Sequence, residues 1–425
     1  MKQIAIVGFG FCGRLALHHL VKKSDRNTRI VIFDSKGENS LGPAFSSFSP
    51  YYILNVPTRK MSAFSDAPQN FYEFLERKYP LVCKEVGKDG FVPRRIYGEY
   101  IEEFTKAALV EAEKKSIEVE FVFEEAASIT KQEEVFSIKT KSSHIQAHEI
   151  FVATSFNQSD LPFNLTSQNV IKKLWDADSH KFHEKIFTDE KICLIGSGLT
   201  AVDVIVGLKN KNFRGKISVT SRRGNLPKKH FVQKTRIPDV IFNEDAKKGV
   251  LFLCLKIRKF LRDNPQFDLR QVVDSIRSNT TDLWHNFDEK NKKLFLRLMC
   301  YWNIFRHRAP ISSIEIIEEM IKSGQVEIVK KGVKNVAEKN GKVLVETKEK
   351  EIECDYLVNC LGFEFRAEKY PLLDQMVKAG LLEKDLLLVR SKSKKIHLLG
   401  GLNIGKDFEC TSVPDLRLGV EKELS

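Results

Sequence analysis

Gly8, Gly10 and Gly13 have the spacing GxGxxG. They follow an apolar β-type run, Ile4 to Val7, and precede a helical pattern, Arg14-Leu15-Ala16-Leu17-His18-His19-Leu20. Strand, tight turn and helix in that order make a receptor for a pyrophosphate. The first glycine permits the turn, the second lets the backbone approach the phosphates, and the third lets the helix lie close on the strand. The helix start adds amide donors and the positive end of its dipole. A second β-type run, Arg29 to Phe33, ends in Asp34, at about the 20-residue distance where an acid accepts ribose hydroxyls. The chemistry implied is recognition of a dinucleotide; the plainer alternative is a glycine-rich turn with a solvated aspartate.

The pattern recurs near the middle of the chain. Lys191 to Ile195 reads as a buried strand, Gly196-Ser197-Gly198-Leu199-Thr200-Ala201 as the turn with alanine in the third small position, and Val202 to Leu208 as the helix. The next strand, Lys216 to Thr220, ends in Ser221-Arg222-Arg223 instead of an acid. A carboxylate there would repel a ribose 2′-phosphate, whereas a hydroxyl and two guanidiniums can hold one. The second turn is therefore expected to prefer NADPH to NADH; a surface arginine pair on a basic protein is the other reading.

These turns need scaffolds. The 425 residues, 42% of them hydrophobic, suffice for two or three domains. Val119 to Phe123, Val135 to Lys139 and Ile145 to Ala147 read as a meander leading into the strand Glu149 to Ala153. Later, Lys342 to Thr347 and Glu351 to Glu353 read as a hairpin leading into Asp355 to Gly362. The fold class expected is α/β, with two Rossmann-like dinucleotide-binding domains, the second inserted into the first. Their expected ranges are 1–186 for the first part of one domain, 187–362 for the other, and 363–425 for the return. A helical insertion, 232–309, shows helix periodicity over Val250 to Arg262, Leu269 to Ser278 and Lys293 to Phe305. Leu251 to Leu261 has the character of a basic amphipathic helix, which leaves peripheral membrane contact open; packing against the protein is the commoner role. Near the end, Thr411-Ser412-Val413-Pro414 reads as a capped helix start.

Composition excludes some classes. No apolar stretch approaches the roughly 20 residues of a membrane span, and no leader segment is visible, so a cytoplasmic protein is expected. Eight scattered cysteines form no CxxC pair, so neither a local redox dithiol nor a metal site is expected. The net charge of +13 comes from dispersed lysines without a nucleic-acid motif, and no nucleic-acid partner is expected.

Gly42-Pro43-Ala44-Phe45, Leu54-Asn55-Val56-Pro57, Met61-Ser62, Asp66-Ala67-Pro68 and Phe71 resemble landmarks of the FAD/NAD(P)-binding protein family. So do Phe91 to Tyr100, the Gly196 turn, Tyr301-Trp302, Arg306-His307-Arg308 and Val413 to Arg417, in order along the chain. The resemblance implies a fold like that of class B flavin monooxygenases, including enzymes that hydroxylate amino nitrogens. Two departures stand out: Ala153-Thr154-Ser155 where relatives have Ala-Thr-Gly, and no Gly-Asp pair of the disulfide-reductase type.

By this analogy FAD occupies the first turn and the helix at Pro414 points its positive end at the flavin. Asn55 lies nearest the flavin as the catalytic candidate, the alternative being a turn-forming asparagine before Val-Pro, and Arg94 and Tyr97 clamp FAD or shape the pocket. Arg306, His307 and Arg308 bind a substrate carboxylate or the NADPH phosphate; the alternative for them is a basic helix end serving its own carbonyls. The expected reaction is reduction of FAD by NADPH, uptake of molecular oxygen as a flavin hydroperoxide, and transfer of oxygen to a small nucleophile such as an amine. A flavin reductase with an organic acceptor and a non-catalytic nucleotide sensor are the rival readings.

Overall fold

The computed structural model describes residues 1–37, 40–46, 51–175, 186, 188–231, 237 and 240–425. It divides into two compact units. One comprises Met1–Phe48, Val56–Asn157 and Phe363–Ser425; the other comprises Ser49–Asn55 and Gln158–Gly362.

The first unit is built on a parallel sheet in the order Ile396–Leu398, Glu149–Val152, Lys2–Val7, Thr28–Phe33, Glu118–Val122. Ile4, Ala5 and Ile6 on the central strand are fully buried, as expected for a β-branched run covered on both faces. Helix Phe11–Lys23 follows the first turn and packs against Arg94–Lys114 and Val413–Leu424. The meander is Ser128–Gln132, Val135–Lys139 and His144–Ala147. The run 119–123, expected in that meander, instead forms the parallel edge strand, with Phe33 opposite Val122. Alternation alone does not distinguish the two roles, because the partner is remote in sequence.

The second unit repeats the plan. Its parallel sheet runs Val326–Val329, Ile217–Thr220, Ile192–Ile195, Tyr356–Asn359, Val170–Ile171. An antiparallel sheet, Val333–Lys339, Lys342–Thr347 and Glu351–Cys354, adds one strand to the expected hairpin. In each unit the strand entering the glycine turn holds the third place. The fold is thus α/β with two Rossmann-like domains, the second interrupting the first. The second unit begins at Gln158 and not at 187, since Val170–Ile171 pairs with Leu357–Val358. It also takes in residues 49–55, which the sequence reading placed in the first domain. Residue 187 itself, and 232–236 at the start of the expected insertion, lie outside the described residues.

The insertion contains helices Val250–Asp263, Leu269–Ile276, Thr280–Asn286 and Glu289–Arg306. The last begins earlier than its apolar periodicity suggests because the Asp288 carboxylate caps it, accepting from the Asn291 amide at 2.7 Å. Thr280–Asn286, too short to show a period, is held by buried Trp284.

The edge strand and last helix of the first unit are tied by an ionic cluster. His397 Nε2 lies 2.9 Å from Glu149 Oε1, and Nδ1 lies 3.1 Å from Glu423 Oε2, with the ring stacked on Phe151. Burial pushes the imidazole pKa down, but the two carboxylates outweigh it and hold it at about 9. Hydrogen bonding to His397 holds Glu149 at about 2. Burial raises Glu423, yet His397 and Lys406 bring it to about 2. With a folded pKa above its usual 6.5, His397 contributes its full stability below about pH 6.5 and loses it as pH rises through 9. The glutamates contribute above their usual 4.5 and lose it as pH falls through 2. His397→Gln is expected to lower unfolding free energy by roughly 1–3 kcal/mol at about pH 6. In urea melts across pH the deficit should shrink as pH rises above about 6.5 and be gone above about pH 9; a deficit that does not change with pH contradicts the clamp.

Candidate dinucleotide sites

At the first turn, Gly8 has φ +97° and a Cβ there would stand 2.7 Å from the Ala153 carbonyl oxygen. Gly13 is tighter still: a Cβ would meet the Gly8 carbonyl oxygen at 2.1 Å. Gly8 N donates to Phe33 O at 2.8 Å and Ala153 N to Val7 O at 2.7 Å, so the turn is locked between both neighbouring strands. Helix Phe11–Lys23 starts from Gly10, which has no side chain to cap it. Its first-turn amides are therefore available to an anion. Asp34 closes the cradle: Oδ2 accepts from Phe9 N at 2.7 Å and Oδ1 from Lys36 N at 2.9 Å, which fixes the carboxylate beside the turn.

Two other expected cofactor residues, Arg94 and Pro414, lie on helices that pack against the helix of this turn. A Cβ on Gly10 would lie 3.5 Å from Gly42 Cα, so the 41–45 loop faces the turn. Gly98 abuts that loop, its Cβ position 2.9 Å from the Phe45 carbonyl oxygen, and Arg94 opens the same helix one turn earlier. Gly400 brings the chain before the last helix to Cys12, with a Cβ position 2.8 Å from Sγ. Pro414 is buried in the first turn of that helix, where Asp415 accepts from Ser412 Oγ. Sequence reading missed Arg14, a buried guanidinium whose Nε donates to Phe9 O at 2.9 Å and whose Nη2 donates to Ser40 O at 3.1 Å. Its signal was an arginine directly after the third glycine, where helix meets turn.

The second turn has the same construction. Gly196 has φ +113°, and a Cβ would stand 2.3 Å from the Cys360 carbonyl oxygen. Gly196 N donates to Thr220 O and Cys360 N to Ile195 O. Helix Leu199–Asn210 starts from Gly198, again without a capping side chain, and a Cβ on Gly198 would point into open space. Ser197 Oγ donates to Ser221 Oγ at 2.9 Å, bringing the end of the next strand against the turn. Arg222 is exposed there, and among the described residues no hydrogen bond or ion pair engages its guanidinium. Arg223 is held by helix Glu289–Arg306, stacked on Tyr301 at 4.7 Å and donating to its hydroxyl at 3.1 Å. The two arginines expected to act together thus differ: one is available, the other engaged.

Asn55 is half-buried, and its carbonyl accepts from His230 Nε2 at 3.0 Å. His230, which sequence reading passed over, is fixed in turn by its own amide donating to Ala309 O at 2.9 Å. Arg306, His307 and Arg308 do not form one exposed cluster. Arg308 is 7% exposed, paired with Asp274 and lying 5.2 Å over the Phe231 ring, with Arg270 over the same ring at 4.7 Å. A cation this buried requires a counter-charge, which Asp274 supplies to Arg308. Arg306 is also buried, at the end of its helix. The cysteines are free; six are buried, Cys254 is exposed, and Cys300 accepts from Arg223 Nη1 at 2.6 Å.

Residues 5–157 match the family model described as FAD-NAD(P)-binding, a span that contains the first turn. A search of curated protein sequences finds no match. Among solved structures, the ornithine N-hydroxylase of Kutzneria sp. 744 aligns over 100% of both chains, with TM-score 0.65 and 13% identity. The ornithine hydroxylase of Pseudomonas aeruginosa aligns over 100% of this chain and 98% of its own, with TM-score 0.62 and 12% identity. The bacillithiol disulfide reductase of Staphylococcus aureus covers the same shares, with TM-score 0.60 and 13% identity. The likeness is one of fold: a two-domain architecture shared by flavin monooxygenases and disulfide reductases.

Gly196 and Gly198 separate folding from binding. Gly196→Ala forces a Cβ into the Cys360 carbonyl and is expected to cost at least about 2 kcal/mol of stability. Gly198→Ala meets no atom within 4 Å and should leave the melting temperature within a few degrees while weakening NADPH binding about tenfold or more. Calorimetric binding and melting of both variants check this; normal NADPH affinity in Gly198→Ala contradicts the assignment of the turn.

Proposed function

We propose that the chain is an enzyme, an FAD-dependent and NADPH-reduced oxidoreductase that oxygenates a small nucleophilic substrate, with an amine as the favoured class. The observation that carries this reading is the presence of two separate glycine turns, each opening an uncapped helix and each followed by a different strand-end chemistry. One ends in a carboxylate suited to ribose hydroxyls, the other in a serine and a free arginine suited to a 2′-phosphate. Two unlike dinucleotides in one chain make a redox pair.

On this reading each candidate residue has a role. Gly8, Gly10 and Gly13 admit the FAD pyrophosphate to the start of the first helix, and Asp34 takes the ribose. Arg94 and the helix start at Pro414 add positive potential around the same cradle. Gly196, Ser197 and Gly198 receive the NADPH pyrophosphate, with Arg222 on the 2′-phosphate and Arg223 behind it on Tyr301. Bound FAD supplies two-electron redox chemistry and the activation of oxygen. Asn55, its backbone held by His230, offers a side-chain amide to orient reactants, and Arg306 and His307 are the candidates for a substrate carboxylate. Few acid or base groups are needed, since the protein's part is binding, orientation and exclusion of water.

The disulfide-reductase reading draws support from the reductase of similar fold and from Cys12 inside the first turn. The state of that thiol weighs against it. Burial pushes Cys12 up to about 12, so it stays protonated, whereas thiol–disulfide exchange needs a thiolate.

The test is oxygen uptake by the FAD-loaded chain with NADPH across a panel of diamines, basic amino acids and disulfides, with mass spectrometry of the products. A product heavier by one oxygen atom, formed from an amine, is the expected result. NADPH oxidation that yields thiols, or only hydrogen peroxide with every amine, overturns the oxygenase assignment.

A further inference from the structure

We infer that the helical insertion of the second unit docks on an anionic lipid surface through the outer face of helix Val250–Asp263. In this helix only Val250 and Leu253 are buried. Leu251, Cys254, Leu255, Arg258, Lys259 and Arg262 are exposed, and their three- and four-residue spacing places them along one face. Leu251 and Leu255 are each 64% exposed, which is high for two leucines one turn apart. The face is apolar in its first half and cationic in its second, and exposed Lys247 and Lys248 precede it.

The surface is a formed one. Val250 N donates to Asn291 Oδ1 at 2.9 Å, joining the helix to the capped start of Glu289–Arg306. On the inner side Lys256 pairs with Asp245 and lies 4.9 Å over the Phe242 ring, so that lysine is already engaged. The outer cations stand apart from this arrangement; among the described residues Arg258 and Lys259 have no ion-pair partner, and Arg262 has only its neighbour Asp263.

Charge decides the occupant. A second copy seated face to face would bring Arg258, Lys259 and Arg262 near their equivalents, in a chain that already carries a net +13, and like charges at an interface repel. A nucleic acid would engage the cations but leave the leucines without a role. A bilayer with anionic headgroups satisfies both halves, since the leucines enter the headgroup–acyl boundary and the cations meet the phosphates. Among the described residues no helix is long and apolar enough to cross a membrane, so the helix would lie flat.

The test is co-sedimentation of the full chain with vesicles of phosphatidylcholine alone and of phosphatidylcholine with phosphatidylserine at about 3:1. Binding to the anionic vesicles, at least about tenfold stronger than to the neutral ones and abolished near 0.5 M salt, is expected. The pair Leu251→Glu with Leu255→Glu, and separately Arg258→Glu with Arg262→Glu, should each reduce binding about tenfold or more. All four positions are solvent-facing, so circular dichroism and melting temperature should be unchanged. Absence of binding to anionic vesicles, or binding retained by both variants, overturns the proposal. So does concentration-dependent self-association that the leucine variant abolishes, or tighter binding to duplex DNA than to the vesicles.

Discussion

Each unit depends on one close approach. The first glycine of the turn presses on the carbonyl just beyond the neighbouring strand, Ala153 in one unit and Cys360 in the other, leaving less space than any Cβ needs. The approach forces the backbone to positive φ, ends the central strand and aims the following helix back along the sheet. In both units that helix begins on a glycine with no side chain to cap it. The amide donors a capping side chain would satisfy are left facing the place where the turn opens.

Divergence comes one strand later. In the first unit the adjacent strand ends in Asp34, whose carboxylate is oriented by two backbone amides. In the second it ends in Ser221, bonded to the turn serine, with Arg222 open beside it. The backbone is nearly the same in both units and the charge is inverted, and that inversion supports assigning different dinucleotides to the two turns.

The sequence was most informative where a local rule acts alone. Glycine spacing, the strand-end residue and the apolar central strands were all legible, because turn, phosphate access and burial each depend on a few adjacent residues. Pairing was less legible. The run 119–123 alternates like a meander strand, yet lies parallel to Thr28–Phe33, and Val170–Ile171 was too short to read as a strand although it moves the unit boundary to 158. Nothing local to Arg308 reveals Asp274, which pairs with it from helix Leu269–Ile276. Arg14 and His230 were overlooked for the opposite reason, since their partners are backbone carbonyls that carry no sequence signal.

The central claim, two turns for two different dinucleotides, is tested most directly by an oxygen-free absorbance titration of the FAD-reconstituted chain with NADPH and, separately, NADH. The account predicts a flavin spectrum that survives gel filtration and is bleached by NADPH at least about tenfold faster than by NADH, with Arg222→Ala removing that difference. A chain that retains no flavin, or one bleached equally by both nucleotides, would contradict it.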